Sequence, residues 1–136
     1  MRYLGIDYGD TKVGLALSDE AGTMGFPNRV VPNSVHLLDI VAALIELEQV
    51  GAVVIGESRD LAGADNPIAA QAREFGTQLA ARTKLPVYYE SEVFTSAQAK
   101  RQHEPAGKTR KPRANPPVDA SAAALILTSY LSRTHG

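Results

Sequence analysis

The chain has 136 residues, 44% hydrophobic and 21% charged, with a formal net charge of −1 and no cysteine. That composition describes a folded domain with a real core and excludes disulfide frameworks, thiolate chemistry and a low-complexity or disordered chain. No apolar run approaches the ~20 residues of a membrane-spanning helix, MRYLGID has no apolar signal-peptide core, and residues 1–136 read as one domain.

In chain order, Arg2–Asp7 reads as a first strand, with Leu4 and Ile6 on one face and Tyr3, Gly5 and Asp7 on the other. Lys12–Ser18 alternates Val13, Leu15 and Leu17 and reads as a second strand, joined to the first by the tight turn Tyr8-Gly9-Asp10-Thr11. Thr23–Val31 is a third strand, irregular at Pro27. The period then changes. Asn33 or Ser34 can cap a helix to about Gln49, with Leu38, Val41, Ala42 and Ile45 on its apolar face. Ala52–Gly56 is short and wholly apolar, as a strand covered on both faces should be.

Asp65-Asn66-Pro67 is a cap followed by proline, opening a helix that carries Ile68, Ala72, Phe75 and Leu79 at helical spacing. Pro86–Val93 is a fifth strand, in which core packing is expected of Tyr88 and Tyr89. Thr95 to about His103 is a short helix, and 104–117 a proline-containing loop. Asp119–Arg133 is a last helix with Ala123, Ile126, Leu127, Tyr130 and Leu131 inward, and His135 reads as tail. The order βββ-α-β-α-β-α-α predicts an α/β fold in which a mixed five-stranded sheet is flanked by helices on both sides.

Four acids stand where elements meet: Asp7 on strand one, Glu57 after the buried strand, Glu92 at the end of strand five and Asp119 at the start of the last helix. A carboxylate among apolar strand neighbours costs free energy unless something pairs with it. Ligands collect at strand ends and helix starts in α/β sheets, and hard oxygen donors suit Mg²⁺ or Mn²⁺. Two such ions, about 3.5–4 Å apart, activate a water and stabilise the leaving oxygen in phosphodiester hydrolysis. Each acid also has a plain structural use. Asp119 is a ready helix N-cap, which leaves lone pairs for a metal; Glu92 suits a solvated strand end and Glu57 a loop surface. Gly9 eases the first turn, and Gly14 leaves room for a backbone or a phosphate beside strand two.

With these residues in view, the chain resembles the YqgF/RuvX family of Holliday-junction-resolvase-like proteins, also described as pre-16S rRNA nucleases. The family pattern G-I-D-x-G-x-x-x-x-G-x-A is present as Gly5-Ile6-Asp7, Gly9, Gly14 and Ala16. Val53–Gly56 (VVIG), Phe94–Ser96 (FTS) and Val118–Leu131 (VDASAAALILTSYL) match in order and spacing. The resemblance implies an RNase H-like fold with strand order 3-2-1-4-5 and strand 2 antiparallel. It also implies a metal-dependent nuclease site with Asp7, Glu92 and Asp119 at the family's acidic positions. Two departures stand out: the family's D-E-R at the end of strand five is Ser91-Glu92-Val93 here, and VVIG is followed by Glu57-Ser58-Arg59-Asp60 rather than an apolar residue and proline. Glu57 is therefore the alternative second acid, and Arg59 a replacement phosphate contact.

The near-neutral total conceals a strong asymmetry. Residues 100–113 carry Lys100, Arg101, Lys108, Arg110, Lys111 and Arg113 against Glu104, a net +5, while the remainder has eight basic and fourteen acidic residues. A basic loop beside an acidic metal site suits a phosphate-backbone partner, precursor rRNA or branched DNA, with Lys12 and Arg59 as further contacts. Without interleaved aromatics, base stacking by this segment is not expected. Three readings follow. The first is a Mg²⁺- or Mn²⁺-dependent nuclease with two ions. The second is a non-catalytic nucleic-acid-binding domain with a degenerate site, which predicts salt-sensitive binding without turnover. The third is a nucleotide-binding domain, disfavoured because enclosing ATP takes two lobes. No membrane partner is indicated, a cytoplasmic setting is expected, and monomer and homodimer both stay open.

Overall fold

Alternation of Leu4 and Ile6 with Gly5 and Asp7 builds β1 (Arg2–Tyr8), and the same alternation in Val13, Leu15 and Leu17 builds β2 (Lys12–Ser18). The computed structural model describes residues 1–57, 67–91 and 120–135. Among these, the chain continues with β3 (Gly25–Pro32), α1 (Leu37–Glu48), β4 (Val50–Glu57), α2 (Pro67–Thr83), β5 (Val87–Ser91) and α3 (Ala120–His135). Thr95–His103, expected as a helix, and the 104–117 loop lie outside the described residues.

The sheet order is β3-β2-β1-β4-β5, as the family resemblance implies. β2 is antiparallel to both β1 and β3, while β4 runs parallel to β1 and β5 parallel to β4. The expected irregularity beside Pro27 is present: Leu15 pairs with Arg29 and Ala16 with Pro27, so Asn28 is the extra residue of a bulge. β4 is longer than expected and ends on Glu57, placing that acid on the strand rather than in the loop after it.

Each sheet face has its own core. Leu4, Ile6, Val13, Leu15, Val53 and Ile55 pack against Val41, Leu44 and Ile45 of α1 and Ala72, Phe75 and Leu79 of α2. Ala16 and Val54 pack against Ala123, Ile126, Leu127 and Leu131 of α3. Residues 52–56 of β4 are buried throughout, the outcome of covering one strand from both sides. At about 1.5–3 kcal/mol for each large aliphatic side chain removed from water, these two layers dominate the stability of the fold.

Close approach of α3 depends on glycine. A Cβ on Gly5 would lie 2.8 Å from Leu127 Cβ and 2.9 Å from the Ala123 carbonyl, and one on Gly25 would lie 2.9 Å from Leu127 Cβ. The family's G-I-D glycine thus seats the helix on the sheet.

The start of α1 differs from expectation. The helix begins at Leu37 with His36 at the N-cap and no side-chain cap. Asn33 is occupied elsewhere: its Nδ2 donates to the Gly9 carbonyl at 2.8 Å and its backbone N–H to the Thr11 carbonyl at 2.9 Å. It pins the β1–β2 turn instead of capping the helix. The Ser34 hydroxyl accepts from the His36 N–H at 3.2 Å, within the turn before α1. The buried stripe of α1 is accordingly Leu37, Val41, Leu44 and Ile45, rotated from the expected one. α3 runs on through His135 rather than ending at Arg133.

Candidate active site

Asp7 belongs to the face of β1 that meets α3. On that face the Tyr3 ring lies 6.3 Å from Tyr130, and Gly5 contacts Ala123 and Leu127. Asp7 is buried, with 4% of its surface exposed. Asp119, the residue before Ala120, lies outside the described residues.

Glycines flank this carboxylate. Across the β1–β2 ladder Asp7 pairs with Gly14. On the other side the ladder to β4 pairs Ile6 with Ile55, and one step further along both strands is Gly56. Neither of these two strand neighbours carries a side chain, and both are buried together with Asp7. Lys12, exposed, alternates with Gly14 on β2 at this same end of the sheet. On the opposite face, beside Tyr8, a cleft of about 310 Å³ opens between α1 and α2, lined in part by Asn33, Ser34, Gln71, Glu74 and Phe75.

Of the four acids singled out in the sequence, Asp7 is the one whose side chain is described. Glu57 is fixed as the last residue of β4, in register with Ser91. Glu92 and Asp119 lie outside the described residues, as do Arg59, Lys100, Arg101, Lys108, Arg110, Lys111 and Arg113. Among the described residues no three of His, Cys, Asp or Glu form a metal cage. Asp7 contributes a carboxylate, the kind of oxygen donor a hard cation takes.

One buried acid escapes the sequence reading. Glu90, 6% exposed, stands on β5 opposite Gly56. Its Oε2 accepts the Ser129 hydroxyl at 2.9 Å and its Oε1 pairs with the Arg133 guanidinium, so both partners come from α3. In the sequence, Tyr88, Glu90 and Glu92 share one parity of the expected Pro86–Val93 strand. Nothing in the sequence alone tells which of the two glutamates is satisfied internally. Tyr88 and Tyr89 divide between the faces: Tyr89 packs towards α2 as expected, its hydroxyl donating to the Arg73 carbonyl at 3.4 Å, while Tyr88 is exposed rather than in the core and stacks on Tyr130 of α3.

Comparison with known proteins bears on this arrangement. The model of the family "RuvX: Holliday junction resolvase" matches residues 1–133. A protein of Oleidesulfovibrio alaskensis named "Putative pre-16S rRNA nuclease" is 36% identical over 97% of this chain and 92% of its own length. One of the same name from Nitratidesulfovibrio vulgaris is 37% identical over 97% of this chain and 94% of its own length. The structure of Thermus thermophilus RuvC with a Holliday junction substrate superposes with a TM-score of 0.64 at 22% identity, covering 100% of this chain and 96% of that one, a likeness of fold. With the G-I-D strand, the 3-2-1-4-5 sheet and a match over nearly its whole length, this chain belongs to the RuvX family of Holliday junction resolvases.

Proposed function

We propose that this chain is a nuclease that hydrolyses phosphodiester bonds of structured nucleic acid, using two Mg²⁺ or Mn²⁺ ions held by Asp7, Glu92 and Asp119. The observation that carries the reading is Asp7 itself: a buried carboxylate beside Gly14, on the sheet face that α3 covers. When bound, such an ion pair supplies Lewis acidity at the scissile phosphate and lowers the pKa of an attacking water. The chain's own residues supply the rest. The carboxylate of Asp7 holds its position because β1 is central and packed on both sides. Lys12 and the basic residues Arg59, Lys100, Arg101, Lys108, Arg110, Lys111 and Arg113 hold phosphates and displace counterions.

Strand parity supports Glu92 over Glu57 as the second acid. Glu90 faces α3, and Glu92 follows it by two residues. Position 57 continues the series of Val53 and Ile55, which pack under α1 and α2. Glu57 is the alternative, tested by comparing Glu57→Gln with Glu92→Gln.

The relatives' names and the family's name point to two substrates, pre-16S rRNA and the Holliday junction. The protein acts in the cytoplasm, as a monomer or homodimer. The test is cleavage of labelled precursor 16S rRNA and of a labelled four-way junction by the purified protein with Mn²⁺. Cutting of either supports the nuclease reading and names the substrate. Salt-sensitive binding of both without any cutting would replace it with the non-catalytic domain that Ser91-Glu92-Val93 suggests.

A further inference from the structure

Tyr88 stands on β5, an edge strand of the sheet among the described residues. Its ring is stacked on Tyr130 with centroids 5.5 Å apart and planes 22° apart, yet 41% of its surface is exposed. An aromatic ring backed by a second ring on one side and open on the other presents a free π-face. The backing is rigid. Tyr130 also contacts Tyr3, 6.3 Å away, and the Arg133 guanidinium lies 5.8 Å from the Tyr130 ring centre. Arg133 is held in turn by the buried Glu90, while its own side chain is 61% exposed. The result is an aromatic surface with a largely exposed guanidinium beside it.

Its position relates to the candidate site. Tyr88 pairs in register with Val54, and Val54 with Gly5. The tyrosine is therefore two strands across and two residues back from Asp7, roughly 12 Å at ordinary sheet spacings, and on the same face.

We infer that Tyr88, backed by Tyr130 and flanked by Arg133, is a stacking platform for one unpaired nucleobase of a single-stranded segment next to the bond that is cut. The inference rests on the nuclease reading for its ligand class, and it adds that part of the substrate is single-stranded. A base can stack on a protein ring only after leaving its own stack, so a fully paired helix does not engage this surface. Arg133 supplies the charge that draws the adjoining phosphate.

The experiment is an abasic scan. Binding of a 5′-fluorescein-labelled single-stranded RNA, and of versions each lacking one base, is measured by anisotropy in EDTA, where no cleavage occurs. Wild-type protein, Tyr88→Ala and Tyr88→Phe are compared. The expected result is one position whose abasic form binds wild type about ten-fold or more weakly. Tyr88→Ala loses a similar factor on the intact RNA and becomes indifferent to that position, while Tyr88→Phe behaves as wild type. Tyr88 is half-exposed, so these variants fold, and thermal melting verifies it. Wild-type affinity in Tyr88→Ala, an abasic penalty that persists in it, or a Tyr88→Phe as weak as Tyr88→Ala would each overturn the platform. If wild type cuts precursor rRNA but shows no such coupling, only this inference fails; if it binds no nucleic acid at all, the nuclease reading fails with it.

Discussion

Asp7 lies directly across the β1–β2 ladder from Gly14, which is buried with it and has no side chain. A valine at position 14 would set a branched side chain beside the carboxylate in a residue type that favours strands. Gly14→Val is expected to retain the fold, with cleavage reduced on the order of 100-fold by displacement of the cation or phosphate. Circular dichroism and cleavage rate, measured on the same preparation, check this; a variant that melts and cuts like wild type would contradict it.

Gly5 makes a different prediction, because its neighbours are structural. A methyl group there meets the Leu127 side chain and the Ala123 carbonyl of α3, at 2.8 and 2.9 Å from the added Cβ. Backbone must move to admit it. Gly5→Ala is expected to cost about 1–3 kcal/mol of stability, read as a lower urea midpoint with an unchanged m-value.

Glu90 and Arg133 form an asymmetric pair, one buried and the other largely exposed. Removing the arginine strands a buried carboxylate with Ser129 alone; removing the carboxylate's charge leaves the arginine in water. Arg133→Met is therefore expected to destabilise more than Glu90→Gln, by about 1–3 kcal/mol against about 1 kcal/mol. Denaturant unfolding of the two variants measures the difference, and the reverse order would contradict the burial argument.

How much of this could be read from the residues alone varies by element. Alternation in β1 and β2, the apolar β4 and the stripe of α3 are local patterns, and they survive in the structure because packing agrees with them. The cap of α1 was illegible for a specific reason: Asn33 is as good a cap as any, but the β1–β2 turn claims both its N–H and its side chain. Glu90 and Glu92 have the same parity on one strand, and only the arrival of Ser129 and Arg133 from far along the chain distinguishes the first. The packing role of Gly5 likewise depends on where α3 comes to rest.

The turn before β3 responds to acid. Asp19 Oδ1 accepts the Thr23 and Met24 N–H groups at 2.7 and 3.2 Å, and Oδ2 accepts the Thr23 hydroxyl at 2.6 Å. These hydrogen bonds, the Thr23 hydroxyl first, hold its pKa down at about 2 against an ordinary 3.8. A lowered folded value means the turn's stabilisation is complete above about pH 4 and is lost as pH falls through about 2. Protection factors of the Thr23 and Met24 amides, exchange rates corrected for the intrinsic pH dependence, should fall over that interval in wild type and be low throughout in Asp19→Ala.

Nucleic-acid affinity should be steeply salt-dependent if the 100–113 segment, net +5, lies on phosphate. Each Lys or Arg there replaced by Gln is expected to reduce the slope of log K against log salt by roughly 0.7–0.9. Binding isotherms at several salt concentrations give the slope directly, and an unchanged slope in a Lys108, Arg110, Lys111 triple variant would remove this segment from the interface.

The central claim is that Asp7 holds the divalent cation on which cutting depends. It is tested most directly by titrating Mn²⁺ into wild type and Asp7→Asn in the presence of labelled precursor rRNA, following bound manganese by electron paramagnetic resonance and cleavage in the same tubes. The account predicts that wild type binds manganese and cuts, whereas Asp7→Asn, folded to the same melting temperature, does neither over the same range. Equal manganese binding and equal cutting by the two proteins would contradict it.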